Sequence, residues 1–239
     1  MEERILAVSC HALDFVSKCG GTLAQYTKRG GLVKVVCLTC GERGEANSVW
    51  KMNPNSTEDE IAAVKRREAQ EAAAILGAEV TFLNFKDHPL ELNRESILAL
   101  AKEIVEFRPT VLLTHYSSDA SNPDHGVANA IALSALRCAH GKGVFPGRDG
   151  CGQVKVFMFE PAKPEIEHFN ANTYIDITDV IDQKRKAMEC IKTQTYLVEI
   201  CESRDSYRGG LARRHSEQSG IQYAEGFLRM NPYIGKGFD

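Results

Sequence analysis

The sequence predicts an α/β fold, a mainly parallel sheet flanked by helices. Short runs rich in β-branched and apolar residues recur along the chain, and helical patterns with recognisable caps and stops lie between them. That alternation is the signature of repeated βαβ units.

The first strand is expected over Arg4–Val8, where Ile5-Leu6-Ala7-Val8 is continuously apolar, as a strand covered on both faces must be. Asp14 opens a helix to Lys28, and Gly30-Gly31 stops it. The second strand is Val33–Thr39, followed by a polar loop through Gly41-Glu42-Arg43-Gly44-Glu45 and Trp50. Thr57 and Glu60 form a capping box for a helix ending at Leu76 and Gly77. Val80–Phe85 is the third strand, Asn93 caps a helix through Phe107, and Val111–Tyr116 is the fourth strand. Ser117–Pro123 is turn-rich, and Asp124 is placed to cap a helix lasting to about His140. Gly141–Gly152 is glycine-rich and reads as an exposed excursion before the fifth strand, Val154–Phe159. Helices expected over Asp179–Thr193 and onward to about Gly209 make residues 179–239 a helical C-terminal extension of one domain spanning 1–239. Right-handed crossovers then give a strand order of about 3-2-1-4-5. The topological switch point, where open α/β sheets place their ligands, lies between strands one and four.

Composition narrows the function. A net charge of -3 gives no general basic field for nucleic acid, so an anionic substrate has to be met by locally placed arginines and lysines. No apolar run reaches the ~18 residues of a membrane span, and the first residues lack a secretory pattern. A cytoplasmic protein with no membrane partner is therefore expected. Among the eight cysteines, Cys10, Cys37 and Cys190 sit in apolar or amphipathic patterns, which favours reduced, buried thiols over disulfides. Cys37-Leu38-Thr39-Cys40 has no second pair to complete a zinc ribbon.

His11 and Asp14 leave the first strand and His125 follows the fourth, so three potential metal ligands converge on the switch point. Two imidazoles and a carboxylate leave an open coordination position, as catalytic zinc does; another divalent metal is the alternative. His115, at a strand end, is a fourth ligand or a core histidine, and the core role is favoured. His88, His140, His168 and His215 read as surface or loop residues. Glu42 and Glu45 follow strand two, whose loop reaches the same crevice. A carboxylate there is a general base or an ion-pair partner for Arg43. Arg66 offers its guanidinium fork to an anionic substrate, or Lys65-Arg66-Arg67 is a solvated helix face. Arg208, Arg213 and Arg214 either collect carboxylates or are simply exposed.

The stretches His11-Ala12-Leu13-Asp14, Gly20-Gly21-Thr22, Gly41-Glu42-Arg43-Gly44, Arg66 to Gly77 and Pro123-Asp124-His125 resemble the LmbE/PIG-L family of zinc-dependent deacetylases. The resemblance implies a Rossmann-like fold, zinc held by His11, Asp14 and His125, and association into a homo-oligomer. It also exposes two departures. Leu13 stands where the deacetylases carry a general-base aspartate, and Asn122 where many carry a second catalytic histidine.

Further stretches, including Gly41 to Glu45 with Trp50, Glu68 to Ala78, Phe159-Glu160-Pro161 and Tyr223-Ala224-Glu225-Gly226, resemble the 4-oxalomesaconate hydratase branch of aromatic-acid degradation. That branch implies a zinc-dependent hydro-lyase adding water to the double bond of a small oxo-polycarboxylate. Glu45 would be the base, with Arg43, Arg66 and Asn122 on the substrate side. The branch carries a histidine where this chain has Ala162, followed by Lys163. The alternatives are an N-acyl deacetylase of amino-sugar conjugates, with Glu45 or Asp124 replacing the lost aspartate, and a metal-binding member without catalysis.

Overall fold

The structure is a computed structural model that describes residues 3–217 and 220–235; the outermost residues of the domain read as 1–239 lie outside the described residues. β1 (Arg4–Ser9) and α1 (Asp14–Lys28) begin where the sequence indicates. β2 (Leu32–Thr39) runs parallel to β1, with Ile5 opposite Val33 and Val8 opposite Val36. The expected loop contains a short helix, α2 (Asn47–Met52). α3 (Glu58–Leu76) starts on the capping box of Thr57 and Glu60 and closes on Gly77, whose φ of 73° is left-handed. β3 (Glu79–Phe85), α4 (Arg94–Phe107), β4 (Val111–Thr114), α5 (Pro123–His140) and β5 (Lys155–Phe159) follow. The chain ends with β6 (Thr173–Asp176), a 3-10 turn over Thr178–Val180, α6 (Ile181–Glu189), α7 (Leu197–Arg214) and β7 (Ala224–Arg229).

The sheet order is β3-β2-β1-β4-β5-β7-β6. Its first five strands are parallel and in the order read from the sequence, while β7 lies antiparallel to β5 and β6 antiparallel to β7. The C-terminal segment is therefore not a purely helical extension. Ala-Glu-Gly-Phe-Leu-Arg of β7 contains no β-branched residue and so lacks the usual strand signature; its place is set by packing, with Phe227 1% exposed in the core.

Side chains of β1 alternate between two cores, as a period of two demands. Ile5 and Ala7 join the layer of α1, α3, α6 and α7, whereas Leu6 and Val8 join that of α4 and α5. Burying a residue of the Val, Leu or Ile size contributes about 1.5–3 kcal/mol. All four residues Ile5 to Val8 are 0% exposed, which makes β1 a rigid base for the loop that leaves it.

Other boundaries differ from expectation for local reasons. β4 stops at Thr114 instead of Tyr116 because the His115 carbonyl accepts from Asn129 Nδ2 at 2.7 Å, outside any strand ladder. Asn122, not Asp124, caps α5: its side-chain oxygen accepts from the Asp124 amide at 3.3 Å, with Pro123 in the first turn. The helix expected to reach Thr193 ends at Glu189, and the Glu68 carboxylate takes the amides of Lys192 and Thr193, each at 3.1 Å. Gly209 does not end α7; a Cβ there would lie 2.1 Å from the Gln222 carbonyl oxygen, so its role is close passage of the chain. No helix among the described residues is long and apolar enough to cross a membrane.

Candidate active site

Loops leaving the carboxyl ends of the parallel strands meet above the β1/β4 switch point and surround a pocket of about 750 Å³. From the loop after β1 come His11 and Asp14, and from the turn into α5 comes His125. His11 Nδ1 is 3.1 Å from Asp14 Oδ2, and His125 Nε2 is 3.5 Å from the same oxygen. One donor atom from each of His11, Asp14, Glu45 and His125 lies within 4.8 Å of all the others.

The donor set fits a divalent cation on its own evidence. His125 Nε2 is buried without a hydrogen-bond partner, while its Nδ1 lies 2.9 Å from Asp119 Oδ2. A carboxylate holding one ring nitrogen so that the other presents a lone pair is the usual support of a metal-binding imidazole. Asp124 Oδ2 faces His11 Nε2 at 3.7 Å in the same sense. Burial opposes the charge on His125, yet Asp14 and Asp119 outweigh it and raise its pKa. That balance means the cluster attracts positive charge.

Asp14 opens α1 without capping it; its Oδ2 accepts the His11 amide at 2.8 Å, which folds the carboxylate back toward the imidazole. Leu13, beside it, is 1% exposed within the apolar core and also contributes to the pocket wall. His115 sits behind the ligands. It stacks on His125 at 4.2 Å, and its Nε2 accepts the Cys10 amide at 2.9 Å. Burial and then His125 hold its pKa well below the usual histidine value, so it is a neutral core histidine whose lone pair is already used.

Glu45 reaches the pocket from the loop after β2, with Oε1 3.4 Å from His11 Nδ1 and accepting from Asn122 Nδ2 at 2.9 Å. Three features shape that loop. The buried Lys65 donates to the Glu45 carbonyl at 3.0 Å, and Asp87 accepts the Arg43 and Gly44 amides. Gly44 leaves room for the His88 ring, an atom of which would lie 2.1 Å from a Cβ at this position.

Of the residues singled out in the sequence, His11, Asp14, Glu45, Asn122 and His125 come together. Arg43 and Arg66 do not line the pocket. Arg43 pairs with Glu58 at 3.4 Å, while Arg66 lies 4.5 Å over the Phe82 ring and donates to Asn84 at 2.7 Å. A helix advances about 100° per residue, so with Lys65 buried beneath the site its neighbour Arg66 is turned toward β3. Arg208 is bound to Glu160 at 2.7 Å and Arg213 to the Ile221 carbonyl.

The pocket's cations are instead Lys18, Lys163, Lys192 and Arg204. His88, read as a loop residue, also lines it, with Nδ1 3.2 Å from Asp124 Oδ2. Asp119 was likewise missed. Lys18 had a signal, since it follows Asp14 by four positions on one helix face. His88 had only its position after the third strand.

Comparison with known proteins agrees with the geometry. The family described as PIG-L, GlcNAc-PI de-N-acetylase, matches residues 6–136. The 4-oxalmesaconate hydratase of Pseudomonas putida is 34% identical over 236 residues, covering 98% of this chain and 91% of the relative. The crystal structure of GalB, the 4-carboxy-2-hydroxymuconate hydratase from Pseudomonas putida KT2440, superposes with a TM-score of 0.95 at 34% identity, covering 99% of this chain and all of that one. N,N'-diacetylchitobiose deacetylase from Pyrococcus horikoshii shares the fold, with a TM-score of 0.76 at 24% identity over 95% of this chain and 84% of that one.

Proposed function

The chain belongs to the PIG-L family, and within it we propose a hydratase: a metal-dependent hydro-lyase that adds water to an activated double bond of a small oxo-polycarboxylate such as 4-oxalomesaconate. The observation that carries this reading is the pairing of Leu13 with Glu45. Where the family's deacetylases place a proton-accepting aspartate, a core leucine closes the wall, and a carboxylate enters from the β2 loop instead. The hydratase relative extends along nearly the whole chain, which supports the same choice.

His11, Asp14 and His125 would hold the ion, with zinc favoured by two nitrogens and one carboxylate oxygen. When bound, the ion supplies Lewis acidity toward an oxygen of the substrate. Glu45 takes the proton of the attacking water as the carbon–oxygen bond forms and the electron pair of the double bond moves onto the conjugated oxo group. The proton then passes from Glu45 to the neighbouring carbon, and Asn122 fixes the carboxylate in the orientation this requires. Asp119 keeps His125 in one tautomer and one rotamer. The free thiols of all eight cysteines suit a reducing compartment, so we place the reaction in the cytoplasm; self-association belongs to the same reading.

The test follows the ultraviolet absorbance of 4-oxalomesaconate with zinc-loaded and chelator-treated protein. Hydration interrupts the conjugation, so zinc-loaded protein should bleach the absorbance and chelated protein should not. A flat trace with zinc-loaded protein, together with amine release from N-acetylated amino sugars, would replace the hydratase by the deacetylase.

A further inference from the structure

Lys18 and Arg204 meet on the pocket wall built by α1 and α7. Lys18 Nζ donates to the Glu160 carbonyl at 2.9 Å, and Arg204 donates to the Ser17 carbonyl. Among the described residues neither forms an ion pair with a carboxylate. The acids closest in kind, Asp14 and Asp119, are occupied by His11 and His125. Other partly buried cations have acids: Lys34 has Glu79 and Glu103, and Arg208 has Glu160, while the buried Lys65 is held by the Glu45 carbonyl and Gln194 beneath the same pocket.

Two half-buried like charges side by side without a carboxylate partner are costly. Burial and the neighbouring Arg204 together lower the pKa of Lys18 against the opposing pull of Asp14 and Asp119, whereas burial of Arg204 is outweighed by Cys201, Asp205 and Glu160, which raise its pKa. Such an arrangement persists where an external anion completes it. Lys163 and Lys192, exposed on the same pocket, add to the attraction from the mouth.

We propose that Lys18 and Arg204 form a carboxylate-binding subsite, one helical turn along α1 from Asp14, which grips an anionic group of the substrate other than the one that meets the metal-ligand cluster and sets the preference for polycarboxylates. The inference deepens the hydratase reading and rests on it for the ligand class, though not for turnover. A ligand that satisfies both ends of the pocket needs one oxygen for the His11, Asp14 and His125 end and a separate carboxylate for the α1/α7 wall. A neutral N-acetylated sugar would leave both cations uncompensated.

The experiment is calorimetric titration of the zinc-loaded protein with tricarballylate, a saturated tricarboxylate that cannot be hydrated, with N-acetylglucosamine as the neutral control. Wild type should bind tricarballylate in preference to the sugar. Lys18→Met and Arg204→Met should each weaken binding about tenfold or more, as loss of a charge-assisted hydrogen bond does. Lys18→Arg should recover most of the affinity, which a purely structural lysine would not require. No binding by wild type, or equal binding by wild type and both methionine variants, overturns the subsite. The two readings fail separately. Lost tricarballylate binding in the variants, with no bleaching of 4-oxalomesaconate by wild type, keeps the subsite and removes the hydratase. Bleaching with unchanged binding does the reverse.

Discussion

Two charged groups in the same layer of helices follow opposite rules. Lys184 on α6, 1% exposed, contacts Asp205 of α7 at 2.5 Å and Glu225 of β7 at 2.7 Å. Glu225 also accepts the amides of Gly21 and Thr22 in α1. This group is complete within the chain, and it fastens α6, α7 and β7 to the back of α1. On the same α1, Lys18 donates to a carbonyl, and the adjacent Arg204 of α7 donates to a carbonyl and to the Cys201 sulfur, neither to a carboxylate. One group has its counter-charges supplied by the fold, and the other waits for a ligand. Buried charge therefore does not have one meaning in this protein.

The sharpest way to break the comparison is Lys184→Met. With Asp205 and Glu225 left buried and unpaired, the loss of stability should be about 3–5 kcal/mol, read from the shift in denaturation midpoint. A loss below about 1 kcal/mol would show that the cluster is not the fastening described. Next comes Glu45→Gln, which removes a charge facing the pocket and keeps the hydrogen bond from Asn122 within reach. Turnover of 4-oxalomesaconate should fall about 100-fold or more, with an unchanged melting curve. Activity within about tenfold of wild type would remove Glu45 from the base role. The smallest effect is expected from Lys18→Met, whose stability should stay within about 0.5 kcal/mol of wild type. A drop equal to that of Lys184→Met would erase the distinction between the two groups.

The sequence made legible whatever was settled by local spacing. Alternating apolar runs and caps indicate the order of the first five strands, and His11, Asp14 and His125 fall at the switch point because loop position follows from that order. The second pair of strands was less accessible. β6 and β7 pair antiparallel, with Thr173 opposite Phe227 across an intervening helical stretch, a contact no local pattern encodes. The choice of Arg66 over Lys65 was open to correction from periodicity. Ile61, Lys65, Glu68, Ala69, Ala72, Ala73 and Leu76 are the buried residues of α3 at helical spacing, which puts Lys65 on the inner face and Arg66 off it. Arg204 could not be assigned, since its place depends on how α7 docks after the Glu68 cross-link redirects the chain at Lys192 and Thr193.

Arg204 and Asp205 are consecutive, and each looks into a different compartment: the first into the pocket, the second into the Lys184 cluster. A rotation of α7 by one residue, about 100°, would in one direction set Asp205 against the ligand and leave Ser206 facing Lys184, and in the other bring Arg204 against Lys184 and leave Ser203 facing the pocket. The helix thus carries its own proofreading. A one-residue insertion or deletion in the turn before Leu197 cannot be absorbed by sliding α7, because either slip takes a cation from the pocket and an acid from Lys184 at once. Among homologous sequences the spacing from Glu68's partners to Arg204 should consequently be held fixed.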